Sequence, residues 1–325
     1  FQYTTVKIQL YYIFYLLMRA VLFPGQGSQY VGMGSDFYKK FDYVKKIFED
    51  FIAENINYVE LHSSFNGMYD LKRSYFNPSQ EMDLYVSIRN EIKKTHPEFD
   101  FKVIYSLEQS EKEKTLKEHY EVALDLYENF PDVFGGFDFA KKKYDKAEIK
   151  SLVNLYFKTR QDPYYAEMFL PLFFNPEESV GDFHEGIYDA ILLNSIRVGY
   201  ALEMYKHPEV MKLLREKNIA IEVSPIANQV FKFVPDLRQH PVEVYINHGV
   251  PFVLGGDKQG VLKHGMSHQY YEAVMAWGLD LKSLKHLILN SINYSLKDDS
   301  EKAVLKQSWE NKWRVFIQDV LNNSK

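Results

Sequence analysis

The chain has 325 residues, 46% of them hydrophobic and 26% charged, with 39 Lys and Arg against 44 Asp and Glu. That is enough for one large buried core or two smaller ones, and a net charge of −5 gives no electrostatic footprint for nucleic acid. With no cysteine, thiolate nucleophiles, zinc fingers and disulfides are all excluded.

The chain opens on apolar and aromatic residues, but Gln9 and Arg19 interrupt the run from Ile8 to Phe23. It is too short and too broken for a membrane-spanning helix. Only Lys7 precedes it as a basic flank and no small-residue cleavage site follows, so a buried strand or helix is a better reading than a signal peptide. From Met18 to Lys40 the sequence is MRAVLFPGQGSQYVGMGSDFYKK. PGQGSQ followed by GMG resembles the amino terminus of malonyl-CoA:acyl-carrier-protein transacylases. Those enzymes need a serine in a G-x-S-x-G elbow. No serine in this chain has glycine at both −2 and +2, so the resemblance is to a fragment without its nucleophile.

From Phe41 the pattern changes to strands alternating with helices. Apolar, β-branched or aromatic runs fall at residues 55–61, 101–107, 133–139, 169–175, 195–201, 219–225 and 251–257. Helical spacing follows Phe41 and recurs at 82–94, 110–130, 202–216, 235–247, 281–293 and 299–321. Such alternation predicts βα units and a parallel sheet. A (β/α)₈ barrel needs eight strands, and the first of the eight is missing. An open seam would leave two bare strand edges, and the apolar part of residues 5–23 is the uncommitted run able to cover it. In parallel barrels the chemistry sits at the C-terminal strand ends, here Gly199-Tyr200, Ser224-Pro225 and Gly256-Asp257-Lys258. Lys141-Lys142-Lys143 reads as a solvated face. His264 and His268, with Gly265 between them, read as loop residues rather than a metal pair, and His184 in DFHEG as a loop histidine.

From about Phe41 to Val320 the chain resembles the adenosine deaminase family, and within it the adenosine deaminase-related growth factor branch. The resemblance is carried by NINYVEL, THPEF with KVIYS, FPDVFGGFDF, LPLFF, LLNSIRVGYAL with KHPEV, IEVSPIANQVFKFVPDLRQHPV and the closing SW-x3-KW-x2-FI-x-DV. It implies a TIM-type (β/α)₈ barrel of the metal-dependent hydrolase kind, with its first strand missing or replaced. Residues 1–40 are then foreign to the family and 41–325 form the deaminase-like barrel.

The implied chemistry is zinc-assisted hydrolytic deamination, in which the metal brings the pKa of a bound water to about 7 so that hydroxide can attack the purine. The family takes its ligands from His-x-His on the first strand, the His of H-A-G-E and a late Asp. This chain departs from that pattern. His-x-His is absent, and the closest run is KIQLYY at residues 7–12. H-A-G-E reads Asn175-Pro176-Glu177-Glu178, so the acid is matched by Glu178 while Asn175 stands where the ligand His would be. G-H-G reads Gly199-Tyr200-Ala201, replacing the His base by a phenol of pKa near ~10. S-D-D-P reads Gly256-Asp257-Lys258-Gln259, keeping the ligand Asp257 and placing Lys258 beside it. Asp257 with a neutral amide at Asn175 is a poor zinc site, and Lys258 is expected within salt-bridge reach of Asp257 or Glu178 in the metal's stead.

The expected function is a catalytically degenerate adenosine deaminase relative that binds a purine nucleoside or a partner, with no cofactor, no nucleic acid and no membrane span. Its rival is an active zinc-dependent adenosine deaminase with an altered metal site. An acyltransferase fragment and a misjoined reading frame are further alternatives for the junction near residue 40. The resemblance implies secretion, with Asn293 and Asn322 as formal glycosylation acceptors. The lack of cysteine and of a clear signal peptide points instead to the cytoplasm.

Overall fold

The computed structural model of the protein describes residues 20–22, 37–65, 76–106, 116–139, 153–154, 156–159, 161, 169–175, 186–199, 201–256, 262 and 264–323. Eight parallel strands form one sheet in chain order: β1 (Ala20–Leu22), β2 (Tyr58–Ser63), β3 (Asp100–Ser106), β4 (Phe134–Phe139), β5 (Leu172–Phe174), β6 (Arg197–Gly199), β7 (Ala220–Val223) and β8 (Phe252–Leu254). The sheet curls until β1 touches β8. All seven strands expected after Phe41 are present, several of them shorter than their apolar runs. The first position is taken by β1, which pairs with β2 in the register Ala20↔Tyr58, Val21↔Val59 and Leu22↔Glu60. Residues 20–22 of the expected seam-filler thus stand in the first strand position, while residues 5–19 and 23 lie outside the described residues.

Helices α1 (Phe37–Ala53), α2 (Pro78–Thr95), α3 (Leu116–Asn129), α4 (Gly186–Leu192), α5 (Pro208–Glu216), α6 (Pro225–Val230), α7 (Val242–His248), α8 (Met266–Trp277), α9 (Leu281–Asn293) and α10 (Asp299–Asn323) surround the sheet. Their limits follow local chemistry. Asn77 caps α2 by accepting from Gln80 N–H at 2.9 Å, the Gln80 side chain returns the bond, and Pro78 needs no donor at the first position. Gly249 ends α7 at a φ of 65°, where other residues are strained. His268, expected in a loop, lies in the first turn of α8, and its Nδ1 accepts the Gly265 N–H that the helix start leaves free.

Two close approaches position the barrel. Gly136 in β4 sits at a φ of 145°, and a Cβ there would overlap the Pro171 carbonyl oxygen at the entry to β5. At the N-terminal strand ends, the turn after α9 plugs the barrel: Leu296 packs against Gly135, where a Cβ would come within 2.9 Å of Leu296 Cδ1. The buried core between strands and helices is aromatic-rich, with Phe48 stacked on Phe101 at 4.3 Å between ring centres.

Candidate functional site

Alternate residues of a strand face the same side, so period-2 polar residues in a barrel strand enter its interior. Here they are Glu60 and His62 on β2, Ser106 on β3, Asp138 on β4, Arg197 and Gly199 on β6, and Glu222 on β7. Glu60, His62, Ser106, Asp138 and Arg197 are fully buried and Glu222 nearly so. Charges this deep persist only when paired and hydrogen-bonded.

Arg197 ties together the half nearer the plug. Its Nε donates to Glu222 Oε1 at 2.6 Å and its Nη2 lies 2.7 Å from Glu60 Oε2. Nη1 donates to the Tyr294 carbonyl at 2.8 Å, and the guanidinium stands 4.6 Å from the Phe173 ring centre. Glu60 Oε1 also accepts the Leu296 N–H at 2.6 Å. Burial works to lower the Arg197 pKa, but the Glu60 and Glu222 carboxylates outweigh it and the net shift is upward.

The half nearer the C-terminal strand ends is less complete. Asp138 Oδ2 lies 2.7 Å from His62 Nδ1 and accepts from Ser106 Oγ at 2.6 Å. An ionised Asp138 fixes the proton on His62 Nδ1, leaving Nε2 to face Glu222 Oε1 at 4.0 Å. Asn175, immediately after β5, is 2% exposed, yet neither amide atom has a hydrogen-bond partner. The same holds for His62 Nε2, Asp138 Oδ1 and Glu222 Oε2. Gly199 makes this arrangement possible: a Cβ there would overlap Asn175 Oδ1 and stand 3.5 Å from Glu222 Oε2.

Of the residues expected from sequence, Asn175 and Gly256 are buried at the C-terminal ends of β5 and β8. Glu178, Tyr200, Asp257 and Lys258 lie outside the described residues, as does His184, so the expected Lys258 ion pair has no geometry. Sequence reasoning missed Glu60, His62, Ser106, Asp138, Arg197 and Glu222. The signal was there: Glu60-x-His62 is a polar pair at period 2 inside an apolar strand, and Arg197 and Glu222 are lone charges inside apolar runs.

The segment after β7 is also anchored by a histidine. His240 Nδ1 accepts the Val242 N–H at 3.2 Å, so its proton sits on Nε2 and points to Asn228 Oδ1 at 3.3 Å. Burial depresses its pKa from 6.5 to about 3.

The barrel is similar in fold to solved amidohydrolases and deaminases. A zinc-bound amidohydrolase from Burkholderia ambifaria superposes with a TM-score of 0.75 at 16% identity, over 96% of this chain and 94% of its own. The N6-methyl-AMP deaminase of Arabidopsis thaliana superposes with a TM-score of 0.68 at 18% identity, over 85% and 79%. At such identities the likeness is one of fold. Sequence adds a family likeness: residues 182–311 match the adenosine deaminase family model. Adenosine deaminase 2 of Homo sapiens is 33% identical over 86% of this chain, and that of Dictyostelium discoideum 29% over 86%. The chain spans about half the length of these relatives, 55% and 52%.

The fold family implies zinc, and the described residues do not fit the family's ligand set. The three residues of β1 are Ala, Val and Leu, which offer no donor, and the β5 position holds a neutral amide. Among the described residues no three of His, Asp and Glu converge on a metal position. No helix among the described residues is long and apolar enough to cross a membrane.

Proposed function

We propose that this chain is an adenosine deaminase-like barrel that binds a purine nucleoside without deaminating it. The reading assigns residues 41–325 to the barrel and residues 1–40 to a foreign segment that contributes β1. One observation carries it: where the family needs an imidazole after β5, Asn175 presents a buried amide with neither atom hydrogen-bonded. A neutral amide is a weak ligand and cannot activate a water as a zinc–histidine centre does. Purine binding is supported by the match to the adenosine deaminase family model and by the similarly folded Arabidopsis ADAL, solved with IMP and with GMP. The roles given to Glu178 as acid, Asp257 as residual ligand and Lys258 as its counter-charge belong to this reading.

The test is incubation of the purified chain with adenosine and added zinc, followed by ultraviolet absorbance, alongside equilibrium dialysis against adenosine. Retention of adenosine with no inosine above the uncatalysed rate is the expected result. Inosine formation would show an active deaminase, and failure to retain adenosine would remove the binding half of the proposal.

A further inference from the structure

We propose that Glu54 is a proton-operated latch at the seam where the barrel closes, gripping the first turn of α8 more firmly in acid than at neutral pH. Helix α1 follows β1 and helix α8 follows β8, and β1 and β8 are the strands that meet at the seam. Glu54, the residue after α1, joins one of these helices to the other. Its Oε2 accepts the Ser267 N–H at 3.2 Å and the Ser267 hydroxyl at 3.4 Å, and the carboxyl also takes the Met266 N–H. These are donors that a helix start leaves free. The contact is close enough to need a glycine at residue 265, where a Cβ would come within 1.9 Å of Glu54 Oε1. The Gly265 φ of −91° is open to any residue, so the demand comes from the carboxylate and not from the backbone. An alanine there would have to push Glu54 off the helix.

The titratable groups at this contact pull in opposite directions. Burial raises the Glu54 pKa above 4.5, outweighing the Ser267 and Met266 N–H groups, His268 and the Ser267 hydroxyl, which all lower it. The docked carboxyl therefore holds a proton more tightly than one released into water. Because its docked pKa lies above the free value, its contribution is full below about pH 4.5 and is lost as pH rises through the raised value. The histidines act the other way. His268 Nδ1 accepts the Gly265 N–H at 3.1 Å, which it can do only without a proton, and burial lowers the pKa of half-buried His264 from 6.5. Replacing Glu54 alone separates its part from theirs. One turn further on, α8 carries the fully buried Gln269, whose Oε1 accepts the Ile226 N–H at 3.0 Å just past β7. The latch thus holds the helix that braces the strand end bearing Glu222.

The experiment is hydrogen exchange of the full chain at pH 5 and pH 7, read on the first turn of α8 and corrected for the intrinsic exchange rate. The measured quantity is the ratio of protection at pH 5 to protection at pH 7. It is expected to be several-fold larger in the unmodified chain than in Glu54→Gln, whose amide accepts the same bonds but cannot titrate. Ser267→Ala removes a hydroxyl that favours the ionised carboxyl, so its ratio should equal or exceed that of the unmodified chain. Gly265→Ala should lower protection at both pH values by displacing the carboxylate. Circular dichroism checks that Glu54→Gln folds, and the other two variants carry the test if it does not. An equal ratio in the unmodified chain and Glu54→Gln overturns the proposal. So does a Gly265→Ala chain whose α8 start is as protected as before, or a smaller ratio in Ser267→Ala.

Discussion

A buried histidine that stays neutral makes stability depend on pH, and His240 is the clearest case here. Its ring lies 3% exposed against Trp277, at 5.3 Å between ring centres, and burial holds its pKa at about 3 instead of 6.5. The folded state therefore resists a proton that the unfolded chain accepts below pH 6.5. Stability from this group is complete above that pH and is lost as pH falls towards 3. The local slope approaches about 1.4 kcal/mol per pH unit. His240→Gln keeps a hydrogen-bonding side chain but cannot titrate, so its urea midpoint should vary less between pH 6 and pH 4 than that of the unmodified chain. Parallel pH profiles would show that His240 charges freely in the fold. Asp100 acts in the same direction lower down. Burial would raise its pKa, but Arg89 at 2.7 Å and Lys297 at 3.1 Å bring it to about 2, so its contribution is lost from about pH 3.8 downward. At this scale the sequence was only partly legible. Asn175 stood out because a resemblance named the residue it replaces, whereas Asp138 and Arg197 acquire meaning only when strands remote in sequence set them beside His62 and Glu222.

Strands were easier to read than side-chain roles, because apolar runs bounded by helical spacing survive without knowledge of their neighbours. Strand ends were not: of residues 195–201 the strand β6 takes Arg197–Gly199. The first strand was legible as a gap, and β1 fills it with three residues that pair with β2 and touch β8. Removing residues 1–24 deletes β1 and bares the facing edges of β2 and β8. A loss of about 2–4 kcal/mol is expected, in line with loss of a packed core element. Hydrogen exchange should then accelerate first at the amides of β2 and β8. An unchanged melting temperature with unchanged protection would mean that β1 adds nothing to the barrel.

Among the described residues one buried cation, Arg197, ties strands on both sides of the barrel to its plug. Arg197 links β6 to Glu60 on β2 and Glu222 on β7, and reaches the Tyr294 carbonyl in the plug after α9. Glu60 binds that plug again through Leu296 N–H at 2.6 Å. Two sides of the sheet and the segment that seals its N-terminal end therefore share a single guanidinium, 0% exposed. Replacing such a group leaves its partners charged and dry, which costs about 3–5 kcal/mol, whereas replacing the whole ion set by neutral groups of similar shape is far cheaper. Arg197→Met should show the large loss at pH 7. The triple variant Glu60→Gln, Arg197→Met, Glu222→Gln should recover most of it, short by roughly 1 kcal/mol for the Tyr294 carbonyl left without its donor. The pH dependence separates the two. In Arg197→Met the stranded carboxylates have pKa values raised above those of the unfolded chain, so the penalty is full at neutral pH and shrinks as pH falls through the raised values. The triple variant has no carboxylate there to titrate and should show no such recovery between pH 7 and pH 5. If Arg197→Met lost less than about 1 kcal/mol, or the triple variant were no more stable than the single one, the ion set would not be what joins the two sides of the barrel to its plug.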